Sequence, residues 1–186
     1  ENAYALNGIA PEPADWRDFA DKAAVGFRAP YLSTGKALYE ALAEAGFRYD
    51  ASGVSRGPVQ PTTRDGITRF SLPLIPEGPK ARPVIAMDYN LFVRHSGGLE
   101  RRTQAREFED RTYGAFRAAF EREYGGARRP LELGFHFTLM NGGAYWNALE
   151  RFAGEVCTKP DVECISYRDL ARRIQAEDIG QPAPAN

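Results

Sequence analysis

The chain is poor in the residues that build the common metal and redox sites. It has two cysteines, two histidines and two methionines among 186 residues. No CxxC motif is present, and His95 and His136 stand too far apart in sequence to form an HxxxH or HExxH pair. Catalytic zinc usually takes three protein ligands, so a complete mononuclear site from this chain alone is not expected. GxSxG, P-loop and GxGxxG motifs are absent as well, which leaves serine-hydrolase, NTPase and dinucleotide readings without a motif. No apolar run is long enough for a membrane span. Nor does one sign of charge dominate: 24 Lys and Arg stand against 25 Asp and Glu, a balance that gives no field favouring nucleic acid.

What remains describes a globular protein, with 43% apolar, 26% charged and 12% aromatic residues, and a length suited to one core. The first residue is Glu1, with neither a basic n-region nor an apolar h-region behind it, so the start reads as a cut boundary. Cys157 and Cys164 flank the short TKPDVE turn and can bridge if their Cα atoms come within about 7 Å. A bridge favours an extracellular or periplasmic location, and two free thiols a cytoplasmic one.

Short apolar β-type runs alternate with segments of helical period, which predicts an α/β fold with a largely parallel sheet. Asp15 caps a helix through Ala23, and a strand covers Val25 to Arg28. Ser33 and Thr34 offer caps for the amphipathic helix Lys36 to Ala45, which Gly46 ends. Phe47 to Asp50 reads as a strand and Ala51 to Gly66 as a surface excursion. Ile67 to Ile75 reads as extended, Pro83 to Asp88 as a buried strand and Leu99 to Tyr124 as a long helix. Leu131 to Phe137 alternates, with Glu132, Gly134, His136 and Thr138 on the face away from the apolar layer. A helix from Ala144 to Val156, a strand from Val162 to Ser166 and a helix from Tyr167 to Ala176 follow. Three regions result: 1–24 as lead-in and helix, 25–178 as the α/β body, and 179–186 as a flexible tail.

Arg28, Asp50, Asp88 and His136 all fall at or near the C-terminal ends of predicted strands, where α/β barrels gather their active sites. Asp50 is read as structural, since a strand-end aspartate often caps the next turn. His95, in the turn-like RHSGG stretch, is read as an exposed loop histidine.

The string Gly26-Phe27-Arg28-Ala29-Pro30-Tyr31 resembles the RxP(F/Y) motif of NodB-like polysaccharide deacetylases, carbohydrate esterase family 4. LELGFHFTLMNGG, around Leu133 and His136, resembles that family's last motif, and VIAMD at Asp88 lies where the family has its fourth. The resemblance runs from about Val25 to about Ile174. It implies part of a distorted (β/α) barrel and a hydrolase that uses a divalent metal, commonly zinc, to remove acetyl groups from N- or O-acetylated carbohydrate polymers. It further implies that Arg28 orients a base aspartate, that Tyr31 offers its backbone N–H to the oxyanion, that Asp88 pairs with Arg28 or tunes His136, and that His136 protonates the leaving amine.

The chain departs from that pattern as well. TFDDG and HSxxH, which carry the base and the metal ligands, have no match, and Asp88-Tyr89-Asn90-Leu91-Phe92 does not give DxxDW. No metal ligand is therefore assigned to this chain, and the ligands are expected in an N-terminal segment of the same protein or in a complementary chain. Two other functions remain open. One is a carbohydrate-binding domain without catalysis, in which Tyr145 and Trp146 stack on sugar rings. The other is a metal-dependent hydrolase of another C–N bond.

Overall fold

A computed structural model describes residues 16–178. Five strands form one open, mixed sheet: β1 (Gly26–Phe27), β2 (Tyr49–Ser55), β3 (Thr62–Arg64), β4 (Ile67–Glu77) and β5 (Arg82–Ile85). Six α-helices accompany them: α1 (Trp16–Ala23), α2 (Lys36–Glu44), α3 (Asp88–Ser96), α4 (Ala105–Tyr124), α5 (Ala144–Val156) and α6 (Tyr167–Asp178). The expected α/β class holds, but the sheet is not largely parallel. β1–β2 and β2–β4 pair parallel, whereas β3–β4 and β4–β5 pair antiparallel, and barrel closure is not seen among the described residues.

The antiparallel pairs follow from short connections. Asp65-Gly66 joins β3 to β4, both residues having positive φ, and the Gly78 to Ala81 turn joins β4 to β5. Such tight turns permit only hairpins, while a parallel neighbour needs a long crossover. The region read as a surface excursion therefore contributes strand on both sides, since β2 runs on to Ser55 and β3 begins at Thr62. Gly26 is where the chain needs no side chain: a Cβ there would lie 1.9 Å from the Tyr49 ring.

Two predicted strands are not strands. Residues 131–137 make one parallel bridge, Gly134 to Met87, and residues 162–166 form no ladder. Around the bridge Gly134 N–H donates to Ala86 O at 2.9 Å and Asp88 N–H to Gly134 O at 3.0 Å. Leu131, Leu133 and Phe135 pack against the main core as the alternation required, but Glu132 on the other face is buried rather than solvated. The 162–166 segment is instead tied back by a Cys157–Cys164 disulfide, with Cα atoms 5.6 Å apart.

The main core lies between the β4–β5 hairpin and helices α3, α4 and α5, with Ile75, Leu91, Phe116, Tyr145 and Phe152 buried. A smaller cluster, Ala51, Phe70 and Ala171, seats α6 on β2 and β4. His95 belongs to the interior, correcting its reading as a loop residue. It lies on α3, which continues to Ser96 before Gly97 caps it in the left-handed region. Its side chain is fully enclosed, stacked 5.2 Å from the Phe108 ring and 5.8 Å from the Tyr145 ring. His95 Nε2 lies 3.1 Å from Glu77 Oε1, which also accepts from Arg111 Nη2 at 2.7 Å. Burial holds the His95 imidazole below its ordinary range, Arg111 adds to that, and Glu77 opposes it.

The helix caps differ from expectation in one place: Gly35, not Ser33 or Thr34, precedes α2, and no side chain caps it. The reading of Asp15 as a cap and of the tail 179–186 lies outside the described residues. Among the described residues no helix is long and apolar enough to cross a membrane.

Candidate functional site

Three of the four strand-end candidates reach one end of the sheet, carried by the parallel elements β1, Met87 and Gly134. Arg28 immediately follows β1, Asp88 follows Met87, and His136 lies just beyond Gly134. Gly134 keeps this junction tight. A Cβ there would stand 3.1 to 3.3 Å from Met87, Arg28 Nη1 and Leu72.

Asp88 is completely buried and opens α3, so its carboxylate meets unpaired N–H groups of the first turn. Its Oδ1 accepts from Tyr89 N–H at 2.7 Å, and its Oδ2 accepts from His136 N–H at 2.7 Å. The His136 ring completes the set, with Nδ1 2.7 Å from Asp88 Oδ1. A carboxylate in this position assigns the proton to Nδ1 and leaves Nε2 to exchange a proton with whatever lies in front of it. The His136 side chain is 54% exposed while its partner has no exposure at all, so the pair has a fixed base and an open tip.

Trp146, on α5, donates from Nε1 to His136 O at 3.0 Å and so fixes the backbone on the other side of the histidine. Its ring lies near those of Phe135 and Phe137, at 5.1 and 6.4 Å, and Phe137 is fully exposed. Tyr89 stands 6.2 Å from the His136 ring. Trp146 is thus beside the histidine, but Tyr145 is not available to a sugar. It is 1% exposed, and its hydroxyl accepts from Asn141 Nδ2 at 2.9 Å. Burial raises this phenol to about 12. The expectation that it stacks on a saccharide is corrected: α5 turns it into the core.

Arg28 takes neither of its expected carboxylate partners among the described residues. Its Nε donates to Ala51 O at 2.9 Å, and its guanidinium sits 5.5 Å from the centre of the Tyr167 ring. Asp88 therefore meets His136, the second of the two arrangements expected for it. Tyr31 is fully exposed and has φ 56°, and Leu32 follows with φ 54°. Two consecutive residues other than glycine in the left-handed region form a strained turn, a feature that clusters at functional sites and that no residue pattern announces. Asp50, expected at a strand end, lies instead near the start of β2 and is linked through Ser52 Oγ to Ala29 N–H beside Arg28. It is the second residue of β2, accepts from Ser52 Oγ at 2.5 Å and lies within 3.5 Å of the Tyr39 hydroxyl.

Two features escaped the sequence. Asn141 is wholly buried with φ 50°, and its Oδ1 accepts from Arg101 N–H at 2.7 Å while its Nδ2 reaches Ser96 and Tyr145. It thereby pins the loop that leads from His136 to α5. Glu132 is 6% exposed, and both of its carboxyl oxygens are closed off from solvent. Burial raises its carboxyl to about 8, opposed only partly by the Ser71 backbone and the Arg28 charge. Among the described residues no group of three His, Cys, Asp or Glu side chains could hold a metal ion.

No family model and no curated protein sequence matches the chain. A solved structure does: the crystal structure of a provisionally assigned polysaccharide deacetylase from Mycobacterium smegmatis. It aligns with 91% of this chain at 23% identity and a TM-score of 0.56, and the chain spans 57% of that structure's length. The chain therefore has a mixed α/β fold like that of part of a polysaccharide deacetylase structure.

Proposed function

We propose that this chain supplies the acid/base histidine of a metal-dependent hydrolase that removes acetyl groups from an N- or O-acetylated carbohydrate polymer. The observation that carries this reading is the His136–Asp88 pair. A half-exposed imidazole, held through Nδ1 by a buried carboxylate, is built to deliver a proton from Nε2 to a leaving amine or alkoxide. The similarity to the deacetylase structure supports the reaction class, and the strained Tyr31 turn supports a reacting group close to Arg28.

The described residues do not fit a metal by themselves. On this reading a divalent ion, such as zinc, is held by polypeptide outside this chain, and the role of the chain is to orient His136 and move its proton. Phe137 and Trp146 favour a second reading, saccharide binding without catalysis, because an exposed ring stacked on an indole offers a face to a sugar.

Acetate release by the protein that includes the metal-binding segment separates the two. His136→Ala should lower kcat by about 100-fold or more, with KM little changed, because leaving-group protonation belongs to the transition state. Asp88→Asn should lower kcat in the same direction. Unchanged turnover in His136→Ala would remove the histidine from the chemistry, and saccharide affinity without acetate release would establish the binding module.

A further inference from the structure

Strand β2 falls out of step with β4 where it passes the end of β1. Asp50 pairs with Arg69, but the next pair is Gly53 with Ser71, so three steps along β2 match two along β4. One extra residue in a strand is a bulge, which re-aims side chains and carbonyls out of the ladder and is frequent next to active sites. The residues of the bulge, Asp50, Ala51 and Ser52, are all buried. Gly53 closes it tightly, since a Cβ there would lie 2.4 Å from Ser71 Oγ and 2.6 Å from Phe70 O.

All three residues serve the segment that follows β1. Ala51 O accepts from Arg28 Nε at 2.9 Å, and Ser52 Oγ accepts from Ala29 N–H at 2.7 Å. The Ser52 hydroxyl gives its own proton to Asp50 Oδ1 at 2.5 Å. That donation leaves the lone pairs of Oγ to Ala29, and a hydroxyl bonded to a carboxylate is a stronger acceptor for the next donor in line. Ala29 is held on its other side too, because its carbonyl accepts from Leu32 N–H at 3.0 Å. It is the foot of the turn in which Tyr31 and Leu32 take φ 56° and 54°. Residues in that region are costly and persist only where their surroundings fix them. Arg28 in turn stands against Gly134, where a Cβ would lie 3.3 Å from its Nη1, two residues before His136.

We propose that Asp50 and Ser52 are positioning residues, which act through Ala29 to keep the Arg28–Leu32 turn in its strained form and Arg28 against the His136 segment. Neither is itself a catalytic residue. Serine suits the middle place because one hydroxyl can donate to the carboxylate and accept from the amide at once. With the serine removed, a buried N–H and a buried carboxylate would each lose a partner, and the turn would be free to relax. The effect on turnover rests on the deacetylase reading, whereas the hold on the turn does not.

The test is amide hydrogen exchange followed by NMR on the 186-residue chain, beside steady-state kinetics of acetate release by the protein that includes the metal-binding segment. Ser52→Ala should speed exchange of the Ala29 and Leu32 amides by at least about tenfold, while the Phe116 and Phe152 amides of the main core change by less than about threefold. Asp50→Asn, which keeps the shape and removes the charge, should move the same two amides in the same direction by about threefold or more. It decides the matter if Ser52→Ala does not fold. In the kinetics, Ser52→Ala should lower kcat by about tenfold or more with KM little changed, the split expected of a displaced group that acts in the transition state. Ala29 and Leu32 amides that exchange as in the parent, or a rise shared equally by the core amides, would overturn the proposal. So would a parent-like kcat in a variant whose turn has loosened. A parent protein that releases no acetate would instead sink the deacetylase reading, and the exchange result would then decide the hold on the turn by itself.

Discussion

At the scale of single residues, two carboxyl groups close in sequence to the Met87–Gly134 bridge, Asp88 and Glu132, meet opposite fates. Asp88 is fully buried but accepts three hydrogen bonds, whereas Glu132 is buried with only the Ser71 backbone and the Arg28 charge to offset its burial. Burial raises the Glu132 carboxyl to about 8. A group whose folded value lies above its unfolded one gives stability that is fully present below the unfolded value and is lost as pH rises toward the folded value. For Glu132 that window runs from the ordinary 4.5 to about 8. Thermal melts across this range should show the chain losing stability as pH rises, and Glu132→Gln should flatten that loss. A variant that melts in parallel with the parent at every pH would show that Glu132 finds a partner in solution. The sequence revealed part of this. His136 stood out because it lies on the polar face of an alternating segment near its C-terminal end and Arg28 because it sits in a short motif, but a carboxyl's partners lie on other elements and leave no local trace.

At the scale of elements, most helices were read better than strands, but α3 went unread and the long helix starts at Ala105 rather than Leu99. The helix at Ala144–Val156 has its observed bounds in the pattern, because a 3.6-residue stripe is decided within the segment itself. The Leu131–Phe137 alternation gave Leu131, Leu133 and Phe135 as inward residues but wrongly added Phe137, which is fully exposed, and it did not make a strand, since a ladder also needs a neighbour and among the described residues of this segment Gly134 alone pairs. His95 was misplaced for a related reason. RHSGG looks like a turn, yet Glu77, Phe108 and Tyr145, all distant in sequence, enclose the histidine. Its lowered value predicts the opposite pH sense from Glu132. This contribution is present above the ordinary 6.5 and is lost as pH falls through the folded value. Replacing His95 by Gln should remove the acid-side loss in melts between about pH 7 and pH 5. An unchanged acid limb would place the sensitivity elsewhere. The disulfide yields a separate prediction. Closing the Cys157–Cys164 loop should contribute about 2 to 3 kcal/mol by the chain-entropy account, so Cys157→Ser with Cys164→Ser should lower stability by that order in denaturant titration. A thiol assay on the unfolded, unreduced chain should find no free cysteine, and two free thiols would place this loop in the reduced state.

At the scale of the whole molecule, the proposed site lies beside a sheet whose end is formed, among the described residues, by β1. Among the described residues β1 lies at one end of the strand order, and the segment around Gly134 pairs on one side with Met87, so the elements carrying Arg28 and His136 both border an open sheet there. The chain spans 57% of the matched structure, and no described cluster can hold a metal. A sheet edge left without a partner is a template for another strand. We therefore expect that polypeptide carrying the remaining elements, fused to this chain or added as a second chain, binds here and brings a metal site close to His136. Native mass spectrometry should then find the complex with about one bound divalent ion, and acetate release should follow its formation. The chain by itself should release none. If the complex forms and binds metal but leaves acetylated polymers untouched, the fold is right and the proposed substrate wrong. If this chain is stable and monomeric and takes up neither polypeptide nor metal, the sheet edge is a finished surface, and His136 with its aromatic neighbours is better understood as a saccharide-binding face.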